Sequence, residues 1–418
     1  MDKPLACIEI SSTGVRLLIG YEISGQPVVL YSKEENGDFI NPDGTIKDAD
    51  ALIAALSKFH EIHDENAKWN INVKEVCLIL PSCGLNVFTS KKTSTVVSAS
   101  YTVDRIDINN VLAQVHKELP PQGNEVVDII PDLFILDQGQ TEKEPPIGKH
   151  SSSLSIDARV FVLPRSIANG YKTAVERAGY RIKQSAVAAY CYAELFRTYP
   201  EVPENYVLID IGCRITTASV IGHHSPYGAI NFSRGSESLT IKIAKSLNLS
   251  MDEARKLKET YGYDERRISY NPPIYVQKGG ENPITVTQAD LNAAISEWVD
   301  EYHIYLEQAI ERALHNVGNG KESLPLLITG GGAKCYGLLH LLERYFPSRV
   351  IKPISPKSVG ARENKWGPLL GLIMASSRYR GSLEDAGGNG VKSLSREEDG
   401  KNKKKGLFSR DNRDEDEI

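Results

Sequence analysis

The stretch at residues 326–334 joins a short apolar run to three consecutive glycines, and it constrains this chain more than any other feature. Residues 326–329 have the composition of a buried strand, and Gly330, Gly331 and Gly332 follow directly. Glycine reaches positive φ and lets a ligand approach the backbone, and the N–H groups opening a following helix suit a phosphate or a base edge. Tight structural turns use the same residues, so this feature alone leaves both interpretations open.

Two further strand-turn units accompany it. Residues 207–212 form a predicted strand that ends at a glycine, and residues 206–221 as a whole form a predicted strand pair. Residues 5–10 and 16–23 are predicted to pair across a turn at 11–14. The α/β pattern of the first half therefore restarts in the second half, as a duplicated, two-lobed fold requires.

Length and composition limit the functional classes. A chain of 418 residues is longer than one hydrophobic core usually organises, so two or more lobes are expected. A net charge of −5 with mixed signs gives no extended basic field, so we do not expect nucleic acid as the main partner. The six cysteines lack metal-ligand spacing, and neither a signal peptide nor a membrane-spanning apolar run is evident. We expect a soluble protein of the cytoplasm.

Periodicity and capping signals predict the other elements. Ser250 with Glu253 and Thr287 with Asp290 have the spacing of capping boxes that open helices. The predicted helices lie at residues 48–63, 108–117, 166–178, 184–196, 238–247, 251–261, 287–314, 336–342 and 366–377. The remaining predicted strands lie at 28–31, 73–80, 96–99, 126–136 and 154–161. Between about 84 and 157 the strands alternate around a single helix, which indicates a small inserted α+β module.

The order of these features resembles the actin-like ATPases and, within them, the bacterial cell-division family FtsA. The resemblance covers about residues 5–377. The inserted module resembles that family's characteristic extra subdomain through residues 126–131 and 134–137. Further support comes from residues 235–240, 253–262 and 329–333. The resemblance implies a two-lobed α/β fold of the actin-like, ribonuclease H-like duplicated type with an inserted subdomain of the SHS2 type.

The same resemblance implies a division of the chain into subdomains. The expected boundaries are 1–83, 162–201 and 354–380 for subdomain 1A, 84–161 for the inserted subdomain 1C, 202–232 and 298–353 for subdomain 2A, 233–297 for subdomain 2B, and 381–418 for a tail.

A nucleotide site is the next implication. The resemblance implies ATP or ADP with Mg²⁺ as cofactor, Glu9 and Asp210 as metal and catalytic carboxylates, and Gln184 as the residue near the attacking water. The implied cofactor-binding residues are Ser11, Ser12, Thr13, Gly212, Arg214, Thr216, Gly235, Lys258, Gly330, Gly331, Gly332 and Ala333.

The first phosphate loop departs from the family pattern. Relatives carry an aspartate facing the metal, whereas Glu9 is one methylene longer and would crowd a site shaped for aspartate. Relatives usually carry a lysine near the phosphates, whereas Gly14 supplies no cation against the phosphate charge.

The second loop and the catalytic position depart as well. Cys213 and Arg214 replace two glycines of the second loop, although Arg214 could itself meet a phosphate as a bidentate donor. Gln184 can orient a water but cannot take its proton, and Arg255 stands where an acid is usual. We therefore expect slow or absent hydrolysis, with weak nucleotide binding through the intact glycine turn.

The tail holds a candidate membrane contact. Lys403, Lys404, Lys405, Leu407 and Phe408 combine positive charge with two apolar side chains, which suits an anionic lipid surface. The acidic run that follows opposes this contact, and a solvated terminus without structure is the alternative interpretation.

The sequence thus predicts an FtsA-like adaptor at the inner face of the cell membrane. It would assemble head to tail and link that membrane to a division partner, which the family implies is the tubulin-like protein FtsZ. Two alternatives stay open: an active ATP-hydrolysing FtsA, and a specialised scaffold of the PilM kind or a division paralogue.

Overall fold

The computed structural model describes residues 4–64, 69–276, 285–318 and 323–384. Within these ranges the strands are β1 Leu5–Ser11, β2 Gly14–Ile23, β3 Gln26–Asn36, β4 Glu61–Asp64, β5 Trp69–Asn72, β6 Glu75–Leu80, β7 Asn86–Thr95, β8 Asn124–Ile135, β9 Thr141–Glu142, β10 Ser153–Pro164, β11 Arg181–Val187, β12 Asn205–Ile211, β13 Thr216–Gly222, β14 Ser225–Phe232, β15 Pro273–Val276, β16 Thr285–Thr287, β17 Leu326–Thr329 and β18 Ile351–Pro353. The α-helices are α1 Ala49–Ser57, α2 Arg105–His116, α3 Arg165–Arg177, α4 Ala188–Phe196, α5 Ser236–Leu247, α6 Met251–Thr260, α7 Gln288–Asn316, α8 Leu338–Tyr345 and α9 Gly367–Glu384.

Two five-strand arrangements share one topology. In the first lobe the strand order is β3-β2-β1-β6-β11, and in the second lobe it is β14-β13-β12-β17-β18. In each lobe the first three strands form an antiparallel meander, and the last two run parallel to its first strand. This repeat confirms the predicted duplication and the predicted actin-like α/β fold class.

The two meanders bring two hairpin turns to corresponding positions. The β1–β2 turn closes on the pair Ser11 and Gly14, and the β12–β13 turn closes on Ile211 and Thr216. Each turn lies at the carboxyl end of a strand that also pairs with a parallel strand. Ligands of open α/β sheets bind at such carboxyl ends, so the fold places both turns where a shared ligand would lie.

The inserted module is an antiparallel sheet in the order β7-β10-β8-β9, with α2 packed on one face. Its apolar core includes Val111, Phe134 and Ile156. A single pairing of Gly228 with Asn86 joins this sheet to β14 of the second lobe. The module therefore extends the second lobe's sheet although its chain is inserted in the first lobe.

Several predicted boundaries are wrong. Residues 96–99 are not a strand, because β7 ends at Thr95 and an irregular segment leads into α2. The helix predicted to reach residue 63 ends at Ser57. Residues 184–187 belong to strand β11, and the helix predicted from 184 begins at Ala188. The helix predicted from 336 begins at Leu338.

Other local predictions are confirmed. Ser250 and Glu253 form the capping box of α6, and Thr287 and Asp290 form that of α7. Both boxes satisfy the backbone N–H groups that open a helix. Trp298 and Trp366 are buried, as expected for core residues.

Helices α4 and α9 cross in close contact beneath the first lobe's sheet. A Cβ atom on Gly371 of α9 would lie 1.8 Å from the backbone oxygen of Cys191 in α4. The contact is with backbone, so no side-chain rearrangement relieves it. Only glycine at this position allows the two helices to approach so closely.

We predict that Gly371→Ala lowers the free energy of unfolding by about 2 kcal/mol, because overpacking outweighs the gain in helix propensity. Gly170→Ala in α3 is the matched control. A Cβ there would meet its nearest atom at 3.6 Å, so alanine should raise stability by about 0.5–1 kcal/mol. Urea unfolding followed by circular dichroism measures both. Equal midpoints for the two variants would contradict the close crossing.

Candidate nucleotide cleft

A cavity of about 120 Å³ lies between the two hairpin turns. Glu9, Ser11 and Ser12 line it from the first lobe, and Asp210 and Gly212 line it from the second. Pockets that enclose drug-sized ligands usually measure about 300–1,000 Å³. The structure therefore brings these predicted residues together around a space smaller than such a ligand needs.

The Glu9 carboxylate is already paired with a guanidinium. Glu9 and Arg16 are cross-strand partners, and Arg16 Nη1 lies 3.2 Å from Glu9 Oε2. Arg16 also donates through Nε to Glu34 Oε1 at 2.8 Å and through Nη2 to Thr13 Oγ1 at 2.8 Å. Burial raises the pKa of Glu9, and Arg16 opposes that rise. An internal cation thus stands beside the carboxylate that the resemblance assigns to a metal.

The Asp210 carboxyl group is partly buried where it lines the cavity. Burial, with a smaller contribution from the charge of Glu9, raises the pKa of Asp210 to about 7, while Arg16 opposes it. A Cβ atom on Gly330 would lie 2.3 Å from Asp210 Oδ1, and Gly330 has φ of +91°. Glycine at 330 is therefore required by the closeness of this carboxyl group as well as by the backbone.

One of these two carboxyl groups, that of Glu9, is already paired at the position where a magnesium site would need it free. Mg²⁺ is usually held by one or two ionised carboxylates together with phosphate oxygens and water. Glu9 is bound to Arg16, and burial together with the charge of Glu9 raises the pKa of Asp210 to about 7. In the described part of the chain, no group of three His, Cys, Asp or Glu residues is placed to hold a metal ion.

The first turn is crowded at Gly14, where the resemblance implies a lysine. Gly14 has φ of +149°, and a Cβ atom there would lie 2.1 Å from the backbone oxygen of Glu35. Ser11 Oγ donates to Gly14 O at 3.0 Å, and Thr13 Oγ1 accepts from Arg16. A side chain cannot be added at position 14 without moving β3. The packing of this hairpin therefore leaves no room for a lysine at this position.

Arg214 of the second turn is bonded to groups of the protein and is not among the residues that line the cavity. Arg214 Nε donates to Glu237 Oε2 at 2.9 Å, and Nη1 donates to Asp38 and, at 3.4 Å, to Ile40 O. Hydrogen bonds from Arg214 and then from Lys47 lower the pKa of Asp38 to about 2. The guanidinium that could meet a phosphate is instead bonded to carboxylates.

Thr216 and Thr217 have different surroundings. Thr216 is buried, donates through Oγ1 to Arg234 O at 2.6 Å and lies 2.9 Å from the Tyr302 hydroxyl. Thr217 lines the cavity. Successive side chains of a strand point to opposite faces, so only one of the two reaches the cleft. Sequence reasoning selected Thr216, and strand alternation places Thr217 at the cavity instead.

The glycine turn has both packed and open positions. A Cβ atom on Gly332 would lie 2.5 Å from Ile211 Cγ2, whereas one on Gly331 would have no neighbouring atom within 4 Å. Gly331–Lys334 forms a 3-10 turn before α8. Gly331 is thus the open, solvent-exposed position of this turn, and it is not among the residues that line the cavity.

Gly235 packs against the second turn, and Lys258 binds helix α5. A Cβ atom on Gly235 would lie 2.5 Å from the backbone oxygens of Gly212 and Cys213. The next amide, that of Ser236, donates to Gly212 O at 3.0 Å. Lys258 Nζ donates to Ser236 O at 3.1 Å and to Thr240 Oγ1 at 2.8 Å, and burial lowers its pKa. These contacts tie Lys258 to α5.

Sequence reasoning missed a polar network between the two halves of the cleft. Asn364 Nδ2 donates to Gly330 O at 3.0 Å, Lys334 pairs with Glu363 at 2.8 Å, and Lys365 pairs with Glu34 at 2.7 Å. Glu34 in turn binds Arg16. The available signal was Arg16 itself, a lone charge inside the apolar strand at residues 14–20.

Gln184 lies in strand β11, paired with Cys77, and is not among the residues that line the cavity. The expectation that it begins the connecting helix is wrong. Helix α4 instead begins at Ala188, and the Ala189 amide donates to Ser82 Oγ at 2.9 Å. Ser82, Ala188 and Ala189 occupy this wall of the cavity.

The candidate membrane residues at 403–408 lie outside the described residues. Within the described ranges, no helix combines the length and apolarity needed to cross a bilayer.

Comparison with known proteins decides the family. Residues 207–365 match the model of the cell division protein FtsA, and residues 84–162 match that of the SHS2 domain inserted in FtsA. The chain belongs to the FtsA family. It is 25% identical over 382 residues to the cell division protein FtsA of Enterococcus faecalis, covering 90% of this chain and 83% of that relative. It is 24% identical over 380 residues to FtsA of Streptococcus pneumoniae, covering 90% and 80%.

Solved structures agree on the fold. A chain of the PilM-PilN type IV pilus biogenesis complex aligns with a TM-score of 0.55 at 16% identity, covering 91% of this chain and 98% of its own. MreB 5 of Spiroplasma citri bound to AMPPNP aligns with a TM-score of 0.53 at 11% identity, covering 92% and 99%. This FtsA-type chain is therefore a cell-division protein with an actin-like fold.

The raised pKa of Asp210 gives stability a defined pH dependence. The folded protein holds a proton on Asp210 up to about pH 7, whereas the unfolded chain loses it near the ordinary value of 3.8. The unfolded state therefore binds fewer protons in this window, and stability falls as the pH rises through it.

We predict that Asp210→Asn raises the free energy of unfolding at about pH 8 by on the order of 2 kcal/mol and has little effect near pH 4, because asparagine has no proton to lose. Urea unfolding across this range measures the difference. Asp50→Asn is the control, since the Asp50 side chain is 89% exposed. A stability difference between the wild type and Asp210→Asn that does not change with pH would count against the raised pKa of this carboxyl group.

Proposed function

We propose that this chain is an actin-fold adaptor of cell division whose nucleotide site is degenerate. Through its lobes and inserted module it assembles with further copies of itself. It connects a division partner, the tubulin-like FtsZ, to the inner membrane surface. The proposal combines membership of the FtsA family with the state of the cleft.

The pairing of Glu9 with Arg16 is the observation that carries the degenerate site. Phosphoryl transfer is catalysed mainly by positioned charge, with metal ions neutralising the phosphates. Here the Glu9 carboxylate is bound to Arg16, and burial favours the protonated form of Asp210. Gly14 has no room for a side chain. The features that would hold a metal and a γ-phosphate are engaged inside the protein.

Weak nucleotide binding stays within the proposal. Gly331 leaves open space in the glycine turn, and Asn364 holds the carbonyl of the preceding Gly330. ATP or ADP would bind chiefly through the adenosine, and Mg²⁺ would add little. The bound nucleotide would then support the lobes without being consumed.

We expect calorimetric titration to give ATP and ADP affinities that differ by less than about twofold with and without Mg²⁺, with no phosphate release above background. Gly331→Val should weaken nucleotide binding by about tenfold or more, since the added side chain fills the open space. Gly228→Val is the matched control, because a Cβ there also meets nothing within 4 Å but lies in β14, outside the cleft.

Micromolar binding that requires Mg²⁺, together with phosphate release lost in Glu9→Gln, would instead establish the active ATPase. Unchanged affinity in Gly331→Val would remove the glycine turn from the site.

Membrane attachment is tested through the tail. We expect the full-length protein to sediment with vesicles that contain anionic lipid, and to carry FtsZ with it. Leu407→Asp combined with Phe408→Asp should abolish both, because charge replaces the inserted apolar side chains. Ile418→Asp is the control in the same tail. Equal sedimentation of all three proteins would refute this membrane contact.

A further inference from the structure

The segment at residues 37–48, here called the Asp38 loop, leaves the first lobe after β3 and is braced by its own hydrogen bonds. The Gly37 amide donates to Thr13 O at 3.0 Å, which anchors the loop beside the first hairpin turn. The Asn41 amide donates to Thr45 O at 2.8 Å, and the Lys47 amide donates to Phe39 O at 2.7 Å. These bonds give the loop a defined conformation, so a contact made by one of its residues constrains the whole loop.

This loop contacts the second lobe through polar groups. Arg214 Nη1 donates to the Asp38 carboxylate and, at 3.4 Å, to Ile40 O. Ser233 Oγ donates to Pro42 O at 2.9 Å. Two separate points of the second lobe thus bond to the same loop of the first lobe.

Arg214 lies between carboxylates from both lobes. Its Nε bonds to Glu237 in the first turn of α5, and its Nη1 bonds to Asp38, which Lys47 also binds at 2.5 Å. The Arg214 side chain is 22% exposed. A planar guanidinium with divergent donors can bridge two carboxylates at once, which a lysine cannot do with the same geometry.

We propose that Arg214 is a clasp that holds the cleft between the lobes closed without nucleotide. The Asp38 carboxylate occupies the anion-binding donors of Arg214, so a contact within the chain joins the two hairpin-turn regions where a ligand's phosphate would otherwise be needed. Closure of the cleft then depends on a charge pair, and it weakens as the ionic strength rises. The clasp rests on the proposed function only in treating this cleft as the nucleotide cleft.

Hydrogen exchange on the nucleotide-free, full-length protein tests the clasp. Asp38→Asn and Arg214→Gln should each speed exchange of the Asp38 loop amides by about threefold or more, since each removes one partner of the bridge. The double variant should exchange no faster than the quicker single variant, because both changes remove one interaction. Raising the salt from about 0.05 to 0.5 M should move the wild type toward the variants.

Arg234→Gln is the matched control. Arg234 pairs with Glu301 at 3.0 Å and stacks on Tyr305, both within the second lobe, so its loss should leave the Asp38 loop unchanged. Exchange in α7 reports whether each variant is folded. If Arg214→Gln unfolds, the exposed Asp38→Asn and the salt series decide the matter.

Wild-type exchange rates in Asp38→Asn, or effects that multiply in the double variant, would overturn the clasp. The result is independent of ATP hydrolysis, because no nucleotide is present. A protein found to hydrolyse ATP could still show the clasp, and a protein without hydrolysis could lack it.

Discussion

The buried guanidinium of Arg16 is the interaction on which the cleft depends. A charge enclosed in a sheet is tolerated only when its partners are fixed, because an unpaired buried charge costs several kcal/mol by general estimates. Arg16 meets this requirement with Glu9 on one neighbouring strand and Glu34 on the other. Since Lys365 binds Glu34 and Asn364 binds Gly330, the same network continues to the glycine turn. The carboxylate of one lobe and the glycine turn of the other are thereby held in one polar arrangement.

Close backbone approach is the second constraint. Gly14, Gly330 and Gly371 each lie where a Cβ atom would meet another backbone or carboxyl oxygen at 2.3 Å or less. These glycines set the spacing of the first hairpin, the contact with Asp210 and the crossing of α4 with α9. The architecture of an actin-like fold is maintained at these points, while the phosphate loops between them depart from the pattern that the resemblance implies.

The two arginines near the hairpin turns have the same kind of partner. Arg16 and Arg214 are both placed near the two turns, and both are bound to carboxylates of the protein. Positive charge that could have served a ligand therefore stabilises the protein's own structure. In the proposed function, such a cleft holds two lobes together for assembly and does not turn over a triphosphate.

Sequence reasoning was sufficient for features that are local or repeated. The duplicated strand pairs, the capping boxes of α6 and α7 and the inserted module were all evident from residue order and type. It failed at residues 184–187, where an alanine-rich continuation favoured helix but parallel pairing with β6 makes a strand. Local propensity cannot represent pairing with a strand about a hundred residues away.

For the residues of the cleft, the sequence identified the candidates and the tertiary structure decided their partners. Glu9, Gly14 and Arg214 were identified from the sequence by their departure from the family pattern, and Asp210 by its agreement with that pattern. Which partner each would find was decided by the tertiary structure, because Glu34, Asp38 and Lys365 approach the cleft from distant parts of the chain. The sequence by itself determined an actin-like fold with altered phosphate loops. Only the tertiary structure decided that the altered residues would pair with groups of the protein. Charge pairing depends on distances in space, which cannot be read from positions along the chain.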